Sequence, residues 1–186
     1  MTLTEIITSQ AWIIVLIIAI IISVLTYLKI KGKVVLRVGF SLVRGVIFFA
    51  IFFLPLIDQP KLSVSIALPI IGMVLLLSGI VLVVFGSKEL TKTGLHGAEG
   101  IPERIIKTGL YSVIRHPINL GFICIFTGWY IAWSGVYSLY LLPILIIGLV
   151  IETFWEERNL QRVSGDEYKE YKKKVGMFFP KISRGG

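Results

Sequence analysis

The sequence is short of charge and nearly without cysteine. Charged residues make up 16% of the 186 positions, against roughly 25% in an ordinary soluble domain. So little charge on so short a chain excludes a water-soluble globule as the home of its apolar residues. The single cysteine, Cys124, sits inside an apolar run, so no disulfide forms within these residues and the redox compartment goes unreported. No Gly-x-Gly-x-x-Gly follows a strand-like segment, which excludes a soluble nucleotide-binding fold. Zinc-knuckle spacing, a helix-turn-helix pattern and an aromatic-basic single-strand platform are also missing. Nucleic acid is therefore a poor partner despite the net charge of +8. Inverted repeats and broken helices at mid-membrane, which a small transporter needs, are absent too, and the mid-membrane residues are almost wholly apolar.

What the sequence has in abundance is apolar blocks. Hydrophobic residues fill 55% of positions and fall in long unbroken runs, not at amphipathic spacing, as the hydrocarbon core of a bilayer requires. The first span runs from Ala11 to Leu28, with Trp12 and Tyr27 near its ends as an aromatic belt places them. Glu5 stands where a signal peptide carries basic residues, and the residues from Leu25 to Lys29 make a poor cleavage site, so this block reads as a retained anchor. A second span extends from about Gly39 to Ile57 around Arg44, and a third from about Leu62 to Phe85 after the polar turn Asp58-Gln59-Pro60-Lys61. In the third span Gly72 and Gly79 offer close-packing surfaces. Gly86 to Arg115 is polar. Then Ile118 to Trp133 and Val136 to Trp155, joined at Ser134-Gly135, form a helical hairpin before a charged tail that is helical in its first half.

The expectation is an all-α integral membrane protein of five transmembrane helices, a single membrane domain over residues 1–186. Residues 1–85 hold three N-terminal spans, and 86–186 hold loop, hairpin and tail. Lysine and arginine crowd the first connection, the long loop and the tail, whereas the opposite side offers only Lys61. The positive-inside rule then puts the N-terminus outside and the C-terminus in the cytoplasm. Loop and tail share that face, and the hairpin brings Arg115-His116-Pro117 near Glu152, Glu156 and Glu157.

Each of these groups has a plain reading and a chemical one. Arg115 supplies an inside charge and Pro117 starts a helix at its first turn. His116, just before a helix N-terminus with unpaired N–H groups, is also well placed to hold a ligand. Glu152 and Glu156 are i,i+4 neighbours on one helix face, and a carboxylate at membrane depth is rarely kept without a partner or a role. The plain alternative is an acidic cap that pairs with Arg115 or Lys107, with Glu157 facing water. Tyr168, Tyr171 and Val175 share a further helix face, either packed on the protein or lying in the interface.

The ordered set Gly109-x-Tyr111-x3-Arg115-His116-Pro117, Glu156-Glu157-x2-Leu160, Gly165-x2-Tyr168-x2-Tyr171 and Pro180 resembles the isoprenylcysteine carboxyl methyltransferase family and the related membrane phospholipid methyltransferases. The likeness covers about half of the chain, from Gly86 to Pro180. It implies S-adenosylmethionine as cofactor, leaving as S-adenosylhomocysteine, in a cytoplasmic site made by loop and tail. By matching positions, Glu103, Arg104, Ile105, Ile106, Tyr111, His116, Pro117, Ile118 and Asn119 would line the cofactor, and Glu156 would grip its polar groups. Two positions depart from the family pattern: Asn119 stands where a tyrosine is usual, and Glu152 where enzymes acting on prenylcysteine carry arginine.

The implied activity is methylation of the carboxylate of a prenylcysteine-like lipid entering from the bilayer. Such a carboxylate is already ionised and needs no base, but benefits from a cation such as Arg158 or Arg115 to orient it. A phospholipid amine is the alternative acceptor and needs a base, for which Glu152 or Glu157 is placed. A non-catalytic membrane scaffold is the third reading. Membrane lipids are the expected surroundings, and the oligomeric state is not legible.

Overall fold

The computed structural model describes residues 51–63, 65–92 and 105–181. The first expected span and most of the second lie outside the described residues, as do Glu103 and Arg104. The chain divides into two compact units, Met1–Ile57 and Asp58–Gly186. Of the first, residues 51–53 are helical and lead into a 3-10 turn at Leu54–Leu56, where Pro55 sits in the first turn.

The second unit is built on three helices: α1 (Ala67–Lys92), α2 (Pro117–Trp133) and α3 (Val136–Lys174), with a short 3-10 turn at Gly109–Ser112 before α2. Among the described residues there is no strand, only isolated bridges between Lys61 and Gly135 and between Ile114 and Gly176. Helices α1 and α3 are long and apolar enough to cross a membrane, and α2 is a shorter apolar helix of 17 residues. Their large side chains mostly point outward. Ile70, Ile71 and Val74 on α1 and Ile144, Ile147 and Ile151 on α3 are all more than half exposed, which suits a lipid solvent.

What holds α1 to α2 is the absence of side chains. The buried residues of α1 are Gly72, Gly79 and Gly86, spaced by seven, and those of α2 include Gly121 and Gly128, again seven apart. A Cβ on Gly72 would lie 2.6 Å from the carbonyl oxygen of Gly128, and one on Gly79 2.5 Å from that of Gly121. At Gly86 it would meet Ile118 Cγ1 at 2.8 Å. The two backbones therefore touch at Gly72 and Gly79, and at Gly86 α1 receives the side chains of Ile118 and Pro117, as antiparallel helices do in lipid when small residues line the seam. The sequence shows Gly72 and Gly79 as close-packing positions. It does not show that the set extends through Gly86 or which glycines answer it.

At the end of the helices away from the loop, two turns interlock. Leu62 N–H donates to the Ser134 carbonyl at 2.9 Å and Val136 N–H to that of Pro60 at 2.9 Å. Gln59 is buried and caps α3 from outside it: its Oε1 accepts from the amides of Tyr137 and Ser138 at 3.0 and 3.2 Å. These are orphan donors of a helix N-terminus, and the capping group comes from a distant turn. Lys61 lies over the Trp133 ring at 5.2 Å. The hairpin of α2 and α3 is thus pinned at its turn, and its open end carries the polar residues.

Beyond the apolar run that ends at Trp155, α3 continues to Lys174, with a break at Gly165, whose φ of 51° and ψ of −124° are not helical. That left-handed backbone suits glycine. It starts a second segment, 166–174, on which Tyr168 and Tyr171 are buried with Leu160 and Val175 against Ile105. The shared face of Tyr168, Tyr171 and Val175 is therefore a packed one.

Gly79→Ala is expected to destabilise the detergent-purified protein by about 1–3 kcal/mol, the usual range for forcing a group into a filled seam. Gly148, whose Cβ position meets nothing within 4 Å, tolerates the same change. Thermal unfolding of the two variants in parallel checks this.

Candidate active site

The polar end of the hairpin is organised around a carboxylate that has left water. Glu157 is buried at 4% exposure, two residues beyond the apolar run of α3. Arg115, also buried, donates to its Oε1 from Nε at 2.8 Å and from Nη2 at 2.6 Å. Lys172 Nζ donates to the other oxygen, Oε2, at 2.7 Å. His116 completes the set, with Nε2 3.4 Å from Glu157 Oε1, near enough for charge attraction though not aligned as a hydrogen bond. One carboxylate so joins the end of the loop, the hairpin helix and the tail. Of the two plain readings of the glutamates, pairing with Arg115 holds, and it is Glu157 that pairs. Glu157 does not face water, and Lys107 pairs elsewhere, with Glu167 at 2.7 Å.

The tail also adds backbone. Arg115 N–H donates to the Gly176 carbonyl at 2.8 Å and His116 N–H to that of Met177 at 3.2 Å, while the Arg115 guanidinium also donates to the Val175 carbonyl. The Tyr171 hydroxyl donates to the Tyr111 carbonyl. The Phe178 ring stands edge-on to His116, centroids 6.5 Å apart. The residues from Val175 to Phe178 therefore lie along the entrance to α2.

Glu156 sits beside the hub, with its side chain 36% exposed. Its Oε2 accepts from Asn119 Nδ2 at 3.2 Å and lies 3.3 Å from His116 Nδ1. Asn119 Nδ2 also donates to Thr153 Oγ1 at 3.0 Å. His116 is the N-cap of α2 and makes no side-chain cap bond, and Pro117 opens the helix, so the first-turn amides lack intrahelical acceptors.

Electrostatics follow from these partners. Burial works against the charged form of His116, but its contacts with Glu156 and Glu157 outweigh burial and raise its pKa above the ordinary 6.5. Burial likewise works against charge on Glu157, yet His116, Lys172 and Arg115 together hold it far below the usual carboxylate range. Tyr111, half-buried, is pushed up to about 12 by burial first and then by the negative charges of Glu156 and Glu89.

The structure brings together Tyr111, His116, Pro117, Ile118, Asn119 and Glu156 at the start of α2. Ile106 is buried and Ile105 packs on the tyrosine cluster of the tail. Glu152 and Arg158 are exposed on α3, one turn before and half a turn after this group. Residues that the sequence reading missed are Lys172 and Thr153. Lys172 lies among other tail lysines, and nothing in the order of residues singles it out. Thr153 is a lone hydroxyl at the end of an apolar run, its partner 34 positions away. No group of His, Cys, Asp and Glu among the described residues could hold a metal ion.

Apolar helices long enough to cross a bilayer, with ionisable groups gathered at one end, are the features of a membrane protein. The chain belongs to the phospholipid methyltransferase family, whose model matches residues 68–167, more than half of its length. That range takes in α1, the loop, α2 and α3 to just past Gly165. The resemblance carried by the Arg-His-Pro and Glu-Glu motifs points to this family.

Two relatives are both methanethiol S-methyltransferases. One, methanethiol S-methyltransferase 1 of Bradyrhizobium diazoefficiens, is 31% identical over 135 residues, covering 67% of this chain and 44% of its own length. The other, from Pseudomonas deceptionensis, is 35% identical over 75 residues, covering 40% of this chain and 28% of its own. The matched part is thus less than half the length of either relative. No solved structure matches.

Removing the Glu157 side chain leaves a buried arginine without its counter-ion, and Glu157→Ala is expected to cost about 3–5 kcal/mol in unfolding. The pH dependence runs two ways. A depressed Glu157 contributes stability above its unfolded value near 4.5 that is lost as pH falls. A raised His116 contributes stability fully present below 6.5 that is lost as pH climbs through its folded value. Melting temperature measured from pH 3 to 9 should fall at both ends, and His116→Gln should flatten the alkaline limb and, because His116 helps hold Glu157 down, make the acid limb shallower without removing it.

Proposed function

We propose that the chain is an S-adenosylmethionine-dependent membrane methyltransferase that takes its methyl acceptor from the bilayer, with the site on the cytoplasmic side as the distribution of lysine and arginine suggests. The observation that carries this reading is Glu156. One of its oxygens is held by Asn119 and His116, and the other, Oε1, has no donor among the described residues. It stands beside a helix start whose amides at Ile118 and Asn119 lack intrahelical acceptors and receive no cap from His116.

That set fits the cofactor in chemical kind. A free carboxylate oxygen accepts from hydroxyls or an ammonium, first-turn amides donate to a carboxylate, and the Tyr111 hydroxyl adds a further polar group. S-adenosylmethionine supplies a methyl group on a sulfonium, which is transferred by in-line displacement and needs alignment and exclusion of water more than covalent catalysis. The chain's part is to orient, through Glu156, His116 and Asn119, and to cover, through the tail that lies along the entrance to α2. Glu103 and Arg104, outside the described residues, remain expected contacts.

For the acceptor, the motif alone suggests the carboxylate of a prenylcysteine-like lipid, with Arg158 to orient it. A thiol is the reading we favour, on two observations. Arg115, the other cation suited to a carboxylate, is committed to Glu157, and the relatives are named for methanethiol. A thiol or an amine must lose a proton during the transfer, and with Glu156 assigned to the cofactor and Glu157 to Arg115, Glu152 is the candidate to take it.

Calorimetric titration of S-adenosylhomocysteine into the detergent-purified protein tests the cofactor. Glu156→Ala should abolish binding without lowering the melting temperature, because the side chain is partly exposed. His116→Ala should weaken binding by about 1.5–3 kcal/mol, the range for a hydrogen bond to a charged group. Absence of binding by the folded wild type would sink the reading. Transfer of labelled methyl to a thiol, a prenylcysteine analogue or phosphatidylethanolamine then identifies the acceptor.

A further inference from the structure

The hydrogen accounting around Asn119 assigns a task to a residue with no evident chemistry. Thr153 is fully buried on α3, at 0% exposure. Its hydroxyl donates to the Leu149 carbonyl one turn back, at 2.8 Å. With its proton spent, Thr153 Oγ1 can only accept, and what it accepts is an N–H of Asn119 at 3.0 Å. The same Asn119 nitrogen gives its second proton to Glu156 Oε2 at 3.2 Å. Both amide protons are committed. A flipped amide would set its oxygen against the lone pairs of Thr153 and the charge of Glu156.

We propose that Thr153 is a positioning residue: by fixing the amide of Asn119 it fixes the carboxylate of Glu156 and so the ligand-binding geometry of the site. The order is helix backbone, hydroxyl, amide, carboxylate, each oriented by the one before. Two acceptors then remain without protein donors among the described residues, Asn119 Oδ1 and Glu156 Oε1. Such a pair suits a ligand group that donates, a hydroxyl pair or an ammonium. The proposal rests on the reading of Glu156 as a cofactor-binding carboxylate.

The test is binding of S-adenosylhomocysteine to the full-length protein in detergent, by calorimetry, alongside thermal unfolding. Thr153→Val keeps the shape and removes the hydroxyl, and is expected to weaken binding about tenfold, the worth of one good hydrogen bond. Unfolding should change little, because the Leu149 carbonyl keeps its helix bond and the Asn119 N–H can turn toward the site. Thr153→Ser restores the hydroxyl and should bind within about twofold of wild type, the scatter of independent effects.

Asn119→Ala keeps the proposal testable even if the valine variant fails to fold. It should lose at least as much affinity, and adding Thr153→Ala, which removes the hydroxyl by a second route, should then change nothing further. Where Thr153→Val folds, adding it to Asn119→Ala should likewise have no effect, because Thr153 acts only through the amide. Wild-type affinity in Thr153→Val, or full additivity of the two losses, would overturn the proposal while leaving the cofactor reading intact. Absence of binding by the wild type would instead overturn both.

Discussion

A buried carboxylate must be answered by cations or it will not stay charged, and Glu157 is answered from three directions. Arg115 comes from the end of the loop, His116 from the cap of α2 and Lys172 from the tail. Breaking such a set costs far more than its net worth, because each removal strands a charge away from water. The stability of the polar end is therefore collective. Loop, hairpin and tail, far apart in the chain, can order only together. The tyrosine cluster adds an apolar layer beneath the same tail, with the Tyr171 hydroxyl reaching back to the turn that carries Tyr111.

That arrangement divides labour between adjacent glutamates. Glu157 is structural in its contacts, saturated by protein donors and turned inward. Glu156, one residue earlier and so about 100° around the helix, keeps an open oxygen and partial exposure. His116 lies between them, its two ring nitrogens within 3.3 and 3.4 Å of the two carboxylates. It couples the rigid hub to the group proposed to meet the cofactor.

Much of this was legible in the residues alone, for reasons that can be named. The apolar runs of α1, α2 and α3 declare themselves because lipid demands length and tolerates no charge. The proximity of Arg115-His116-Pro117 to the glutamates follows from hairpin topology, since the two ends of a hairpin must meet. Which glutamate pairs with Arg115 was not legible: Glu156 and Glu157 are chemically identical, and only helix phase separates them. Gln59 as the cap of α3, Lys172 on Glu157 and Thr153 on Asn119 were also out of reach. Each is a contact between ordinary residues far apart in sequence, and periodicity carries no record of such pairs. The first span and most of the second lie beyond the described residues, and of the last three expected spans two, α1 and α3, are helices long and apolar enough to cross a membrane, while α2 is a shorter apolar helix.

The glycine seam between α1 and α2 has a consequence for height. Each helix rises about 1.5 Å per residue, so the spacing of seven between Gly72, Gly79 and Gly86 corresponds to about 10.5 Å along the axis. A slide of α2 by less than that sets a side chain where only a bare backbone fits. The pair thus behaves as a ratchet with coarse teeth. Gly86 against Ile118 is the last tooth, so the level at which His116 and Asn119 stand relative to α1 is set in whole steps. A thicker or thinner bilayer can tilt the pair, but it cannot draw one helix gradually past the other.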